Sequence, residues 1–189
     1  MIGTQMLTKG LDLPLVTLVG AVLADVGLNL PDFRTAERGF QLLTQVAGRA
    51  GRSPLGGRAI FQTFQPEHPA IQFAAQHDYA GFYQYELKAR QQLGYPPFSR
   101  LVRLITRQAD PMRARETAEK MRVHLQHWLQ EGGFGATELI GPAPCFYARV
   151  NGQYRWQIIL RGPQPEEVVR QNLPLPDGWR VEVNPQDLL

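Results

Sequence analysis

The chain has 189 residues, 43% of them hydrophobic, and a formal net charge of +3, which allows one large domain or two small ones, each with a core. Whole-chain charge this small does not announce a nucleic-acid partner. The single cysteine, Cys145, excludes an internal disulfide framework and a cysteine-based zinc site.

The four histidines have no metal-ligand spacing, and no signal peptide is visible. The longest apolar stretch, around Leu13 to Ala24, is too short and too interrupted to span a bilayer. A soluble cytoplasmic protein, with no membrane partner, is the expectation.

In chain order, Met1 to Thr4 reads as the tail of a buried strand whose body is missing. Val16 to Leu23 is rich in β-branched residues and reads as a buried strand. Pro31-Asp32 introduces a helix; Ser53 to Gly57 is a turn, and Arg58 to Phe64 a further strand. Strand, helix, strand suggests a parallel α/β layer too small to be complete. Pro69 to Leu93 has helical composition, expected to break at Gly81. Gly94 to Pro97 ends it, because proline cannot continue a helix.

The remainder alternates. Arg100 to Arg107 is a strand. Asp110-Pro111 starts a helix whose buried stripe is Ala114, Ala118, Met121, Leu125 and Leu129, stopped by Gly132-Gly133. Leu139-Ile140 and Phe146 to Val150 look extended, and Asn151-Gly152 signals a hairpin. Tyr154, Trp156, Ile158 and Leu160 then alternate with Arg155, Gln157 and Arg161, which makes Trp156 a core candidate. A short helix from Pro165 to Leu173 and a strand from Trp179 to Val183 complete a small α+β sandwich. Between Lys88 and Arg122, basic residues including Arg90, Arg100, Arg103, Arg107, Arg113 and Arg115 outnumber Asp110, Glu116 and Glu119. A basic surface and ordinary solvated helix faces are both open readings of that excess.

The richest segment is Thr44-Gln45-Val46-Ala47-Gly48-Arg49-Ala50-Gly51-Arg52. At roughly 100° per residue, Ala36, Phe40, Leu43, Ala47 and Ala50 share one helix face, and Arg38, Gln41, Gln45, Arg49 and Arg52 the other. An arginine-rich face is usually just solvated. It also suits phosphate oxygens, because guanidinium is a permanently charged planar fork. Gly48 and Gly51 each cost a helix about 1 kcal/mol relative to alanine. Close approach of the backbone to a ligand or a neighbouring domain would account for them.

The string Q-x-x-G-R-x-G-R at Gln45 to Arg52 resembles motif VI of superfamily 2 helicases, and Gly3 to Pro14 resembles motif V. Ala24 to Arg38 (ADVGLNLPDFRTAER) resembles a stretch typical of the primosomal protein N′ (PriA) family of replication-restart DNA helicases. So do Pro66-Glu67-His68-Pro69, Tyr95-Pro96-Pro97-Phe98, Gly141-Pro142-Ala143-Pro144 and Arg155-Trp156-Gln157-Ile158. The resemblance covers essentially the whole chain.

It implies residues 1–65 as a partial RecA-like helicase lobe 2 with a parallel sheet and residues 66–96 as a helical connector. Residues 97–189 become an α+β domain similar in fold to ribosomal protein S10. It further implies an ATP-dependent 3′-to-5′ DNA helicase acting in primosome assembly. Arg49 and Arg52 would be arginine fingers, worth about 10³–10⁵ in rate in phosphoryl transfer, while Gln45 and Asp12 would couple the ATP and DNA sites.

Thr4, Lys9 and Gly10 would meet strand phosphates, and Arg149 and Arg155 would contact DNA from the C-terminal domain. Leu11 stands where family members often carry histidine, so no role is carried to it. Implied partners are forks, single-stranded DNA, single-stranded DNA-binding protein and primosome proteins.

No G-x-x-x-x-G-K-[ST] loop is present. Mg·ATP is therefore expected on a missing lobe, zinc in the full-length protein but not in this chain, and the chain alone is expected to be inactive. The sequence reads as the family's C-terminal end, cut within the second lobe, as a truncated reading frame or fragment. Two alternatives stand: a non-catalytic nucleic-acid- or protein-binding module derived from such a helicase, and a different superfamily 2 translocase.

Overall fold

A computed structural model describes residues 2–3, 16–50 and 56–189. The chain forms two compact units: Met1–Leu30 with Arg34–Lys88, and Pro31–Phe33 with Ala89–Leu189.

In the first unit β1 (Leu18–Ala21) pairs in parallel with β2 (Arg58–Phe61), as strand–helix–strand order suggested. The joining helix, α1 (Thr35–Ala50), buries Thr35, Phe40, Leu43, Ala47 and Ala50. This is the apolar stripe the 3.6-residue period gives, with Ala36 packed beside it. Thr35 Oγ1 donates to the Leu30 carbonyl at 3.1 Å, and Gly39 lets α1 pass close to Leu28, whose Cδ2 would lie 2.2 Å from an added Cβ. Phe40 stacks on Phe82 at 4.1 Å. Contrary to expectation β1 is not buried: Leu18 is exposed, as is Val22 just after it. A two-stranded sheet with one helix layer leaves its other face uncovered among the described residues.

The break between α2 (Pro69–Ala75) and α3 (Tyr79–Leu93) falls before Gly81, not at it. His77 takes a left-handed φ of 53°, and the Asp78 carboxylate accepts the Gly81 N–H at 2.8 Å, starting the new helix. Gly81 thus sits in the first turn of α3, where an added Cβ would lie 2.2 Å from Asp78 Oδ2. The His68 side chain caps α2, its Nδ1 accepting from Ala70 N–H at 3.2 Å.

The second unit is a four-stranded antiparallel sheet in the order β4-β5-β3-β6. Its strands are β3 (Arg100–Gln108), β4 (Glu138–Val150), β5 (Gln153–Gly162) and β6 (Trp179–Val183). Helices α4 (Pro111–Glu131) and α5 (Pro165–Arg170) cover one face. Asp110 caps α4 by accepting Arg113 N–H at 2.8 Å. Val102, Leu104, Ile158 and Leu160 meet Met121, Leu125, Val168 and Val169 in the core. Asn151 and Gly152 turn the β4–β5 hairpin with φ of 50° and 78°. The two extended stretches expected before it are one strand, interrupted by register shifts between Ile140 and Ala143 and between Pro144 and Arg149.

The opposite face is covered as well. Arg103, one of the basic run for which a basic surface and solvated helix faces were both open, is buried there. Its Nε donates to Gln157 Oε1 at 2.6 Å and its Nη2 to the Leu189 main-chain oxygen at 3.0 Å. Glu182 lies 3.7 Å away. The chain after β6 therefore crosses this face, joined by the Asp32 carboxylate, which accepts the buried Leu188 N–H at 2.9 Å. Phe33 stacks on Tyr95 at 5.3 Å between the guanidiniums of Arg90, over Phe33, and Arg161, over Tyr95.

Candidate functional site

Two surfaces hold the described candidate residues, one in each unit. On α1, Arg38, Gln41 and Gln45 are exposed and Arg49 is half-buried in the last helical turn. Arg49 there also complements the negative end of the helix dipole, and Glu37 in the first turn complements the positive end. Amide and guanidinium groups thus share the face opposite the core, as the period predicts. Gly48 is exposed, and a Cβ there would meet nothing within 4 Å. No packing within the described chain requires glycine at that point. Arg52, Thr4, Lys9, Gly10 and Asp12 lie outside the described residues.

In the second unit the β4–β5 hairpin carries Arg149 and Arg155. The register opposes Arg149 to Tyr154, and the Arg149 guanidinium lies 5.2 Å from the Tyr154 ring centroid. Arg155, one residue on, leaves the other face of the strand. The two arginines proposed together from sequence are therefore on opposite faces of the hairpin. Phe146 and Tyr147 nearby are exposed at 47% and 56%. Trp156 is half-buried on the helix-facing side. Arg107 stood in the basic run without a role of its own. The register places it directly opposite Arg155, a juxtaposition that only strand pairing reveals.

The wider basic run does not form one surface. Arg103 is buried, Arg100 pairs with Glu166 and Arg122 with Glu119, while Arg107, Arg113, Arg115 and Lys120 are exposed. Burial holds the His68 imidazole below the ordinary histidine value, with Glu86 opposing the shift. Among the described residues, no helix is long and apolar enough to cross a membrane and no group of His, Cys, Asp or Glu is arranged to hold a metal. Cys145 is a buried free thiol.

Fold and surfaces define a two-unit α/β protein whose units each present guanidinium groups on an otherwise apolar-anchored element. A family model described as the primosomal protein N C-terminal domain matches residues 91–186. The chain is 41% identical over 191 residues to the replication restart protein PriA of Synechocystis, covering 98% of this chain and 22% of that relative. The Bacillus subtilis protein of the same name is 42% identical over 168 residues, 89% of this chain and 20% of the relative. The Haemophilus influenzae one is 37% identical over 197 residues, 100% and 26%.

The chain belongs to the primosomal protein N′ (PriA) family and matches its C-terminal portion. It spans about a fifth to a quarter of the length of these relatives.

Proposed function

We propose that this chain is the C-terminal portion of an ATP-dependent 3′-to-5′ DNA helicase that acts in primosome assembly and replication restart in the cytoplasm. The first unit is then the end of a RecA-like second lobe, and the second a fork-binding domain similar to ribosomal protein S10. The observation that carries the reading is α1: its apolar stripe is buried and Gln45 is exposed opposite it, in a chain whose relatives are replication restart proteins. Arg49 and Arg52 act as arginine fingers on Mg·ATP held by another lobe, spreading the charge of the transferring phosphoryl group. Gln45 and Asp12 couple nucleotide state to the DNA track, where Thr4, Lys9 and Gly10 meet phosphates without reading sequence. Arg149 and Arg155 add DNA contacts. Zinc belongs to parts of the full-length protein outside this chain, whose one thiol is buried. Primosome proteins and single-stranded DNA-binding protein are the expected protein partners.

The test uses the chain alone. It should bind single-stranded and forked DNA with an affinity that falls steeply as salt rises, since phosphate contacts release counterions, and it should not turn over ATP. Undetectable or salt-independent binding removes the DNA role. ATP hydrolysis by the chain alone contradicts the division of labour between lobes.

A further inference from the structure

The outer face of the second unit's sheet is covered along most of β3 and open at one end. Leu101, Arg103 and Ile105 alternate along that face and are buried. Arg107, the next outward residue, is exposed. It stands directly opposite Arg155, and directly opposed residues have Cβ atoms about 4.5–5.5 Å apart on one face. On the other flank of β3, Arg180 of β6 stands opposite Ile105. It is therefore a diagonal neighbour of Arg107, at about 7–8 Å by the same geometry. The register thus places three arginines at neighbouring positions on one face, across β5, β3 and β6.

Their neutralisation is incomplete. Glu182 is shared between Arg103 at 3.7 Å and Arg180 at 3.2 Å, and Gln157 is occupied by Arg103. Among the described residues Arg155 makes one long contact, Nη1 to the Tyr147 carbonyl at 3.5 Å. Its Nε is buried with no hydrogen-bond partner among the described residues. Like charges directly opposed on paired strands destabilise a sheet. The terminal nitrogens of a planar guanidinium fork suit an oxyanion, which would remove the repulsion.

We propose that Arg107 and Arg155, flanked by Arg180, form a seat for backbone phosphates of a DNA strand. The seat rests on the DNA-binding reading above and narrows it. Arg149, over Tyr154 on the other face of the hairpin, is not part of it. Nucleic acid is favoured over an acidic protein because Arg155 reaches the main chain of Tyr147, whose side chain, like that of Phe146 before it, is exposed, and aromatic faces stack unpaired bases.

Binding of a fluorescently labelled single strand is measured by anisotropy across a salt series. The chain is compared with Arg107→Gln, Arg155→Gln and, as a control of equal charge change on exposed α4, Arg115→Gln. Arg107→Gln and Arg155→Gln should each weaken binding several-fold and flatten the log–log salt slope by about 0.7, one single-strand phosphate contact. Arg115→Gln should leave the slope unchanged. The thermal unfolding midpoint of Arg107→Gln should be equal to or above that of the parent, because one of two opposed charges is gone. Binding by the parent with an unchanged slope in Arg107→Gln overturns the seat and leaves the DNA reading standing, whereas no binding by the parent removes both. An equal loss in Arg115→Gln, a lowered midpoint in Arg107→Gln, or equally tight binding of an acidic polypeptide of matched charge also overturns it.

Discussion

In the first unit, two parallel strands leave Leu18 and Ile60 exposed and lean on one amphipathic helix. In the second, four antiparallel strands are closed on one face by α4 and α5 and on the other by the chain after β6, so that six successive residues of β3, Leu101 to Thr106, are buried. Burial on both faces is usually a property of parallel sheets between helices. Here a C-terminal strap produces it in an antiparallel one, and the cost is a desolvated arginine. Arg103 is tolerable because Gln157, Glu182 and two main-chain oxygens, of Asp187 and Leu189, receive its donors. Cationic groups therefore do different work in the two units: on α1 they face away from a core, whereas on β3 one is enclosed and the next is open.

The contrast is sharpened first by Arg103→Ala. Removing the buried guanidinium leaves Gln157 Oε1 and the strap oxygens without their donor and Glu182 with Arg180 alone, a loss of about 3–5 kcal/mol. Denaturant unfolding followed by hydrogen exchange should show that loss in the amides of Ala89–Leu189. A loss under ~1 kcal/mol, the scale of a surface pair, would show that the strap is not held by this side chain.

Next comes Leu43→Ala on α1. Leu43 is buried at 2% exposure, and the substitution should cost about 2–5 kcal/mol, read in the amides of α1 and α3. Equal deprotection of β3 and β5 would break the two-unit description. Asp110→Ala, which removes the cap of α4, should cost about 1 kcal/mol, while Asp110→Asn should retain most of the stability.

The smallest effect is that of pH on His68. Its folded value lies below its unfolded one, near 6.5, so the neutral form is favoured by folding. The contribution is present above the unfolded value and is lost as pH falls through the folded one. Protonation also removes the Nδ1 acceptor for Ala70. The thermal midpoint measured from pH about 8 to about 5 should fall less in His68→Asn than in the parent, and parallel curves would remove His68 from the effect.

What could be read beforehand follows the same divide. The α1 stripe, the Asp110 cap and the Asn151-Gly152 turn are local patterns, and each stands where its residues place it. Arg103 could not be read from its neighbours, because its partners lie more than fifty residues away at Gln157 and beyond. The Phe33–Tyr95 stack and the Arg107–Arg155 opposition are hidden for the same reason. Gly81 misled because glycine usually marks a break, whereas here it makes room for the Asp78 cap that follows the break. β4 read as two pieces because its prolines coincide with register shifts on an edge strand.

The proposal that α1 works on a nucleotide held elsewhere is tested most directly by joining this chain to the preceding portion of the Synechocystis relative and changing Arg49→Ala. Steady-state ATP turnover and equilibrium ATP binding are then measured on the same preparation. An arginine finger predicts that turnover falls by about 10³-fold or more while ATP still binds. Turnover unchanged from the parent would contradict it and leave Arg49 as the dipole-matched last turn of a solvated helix.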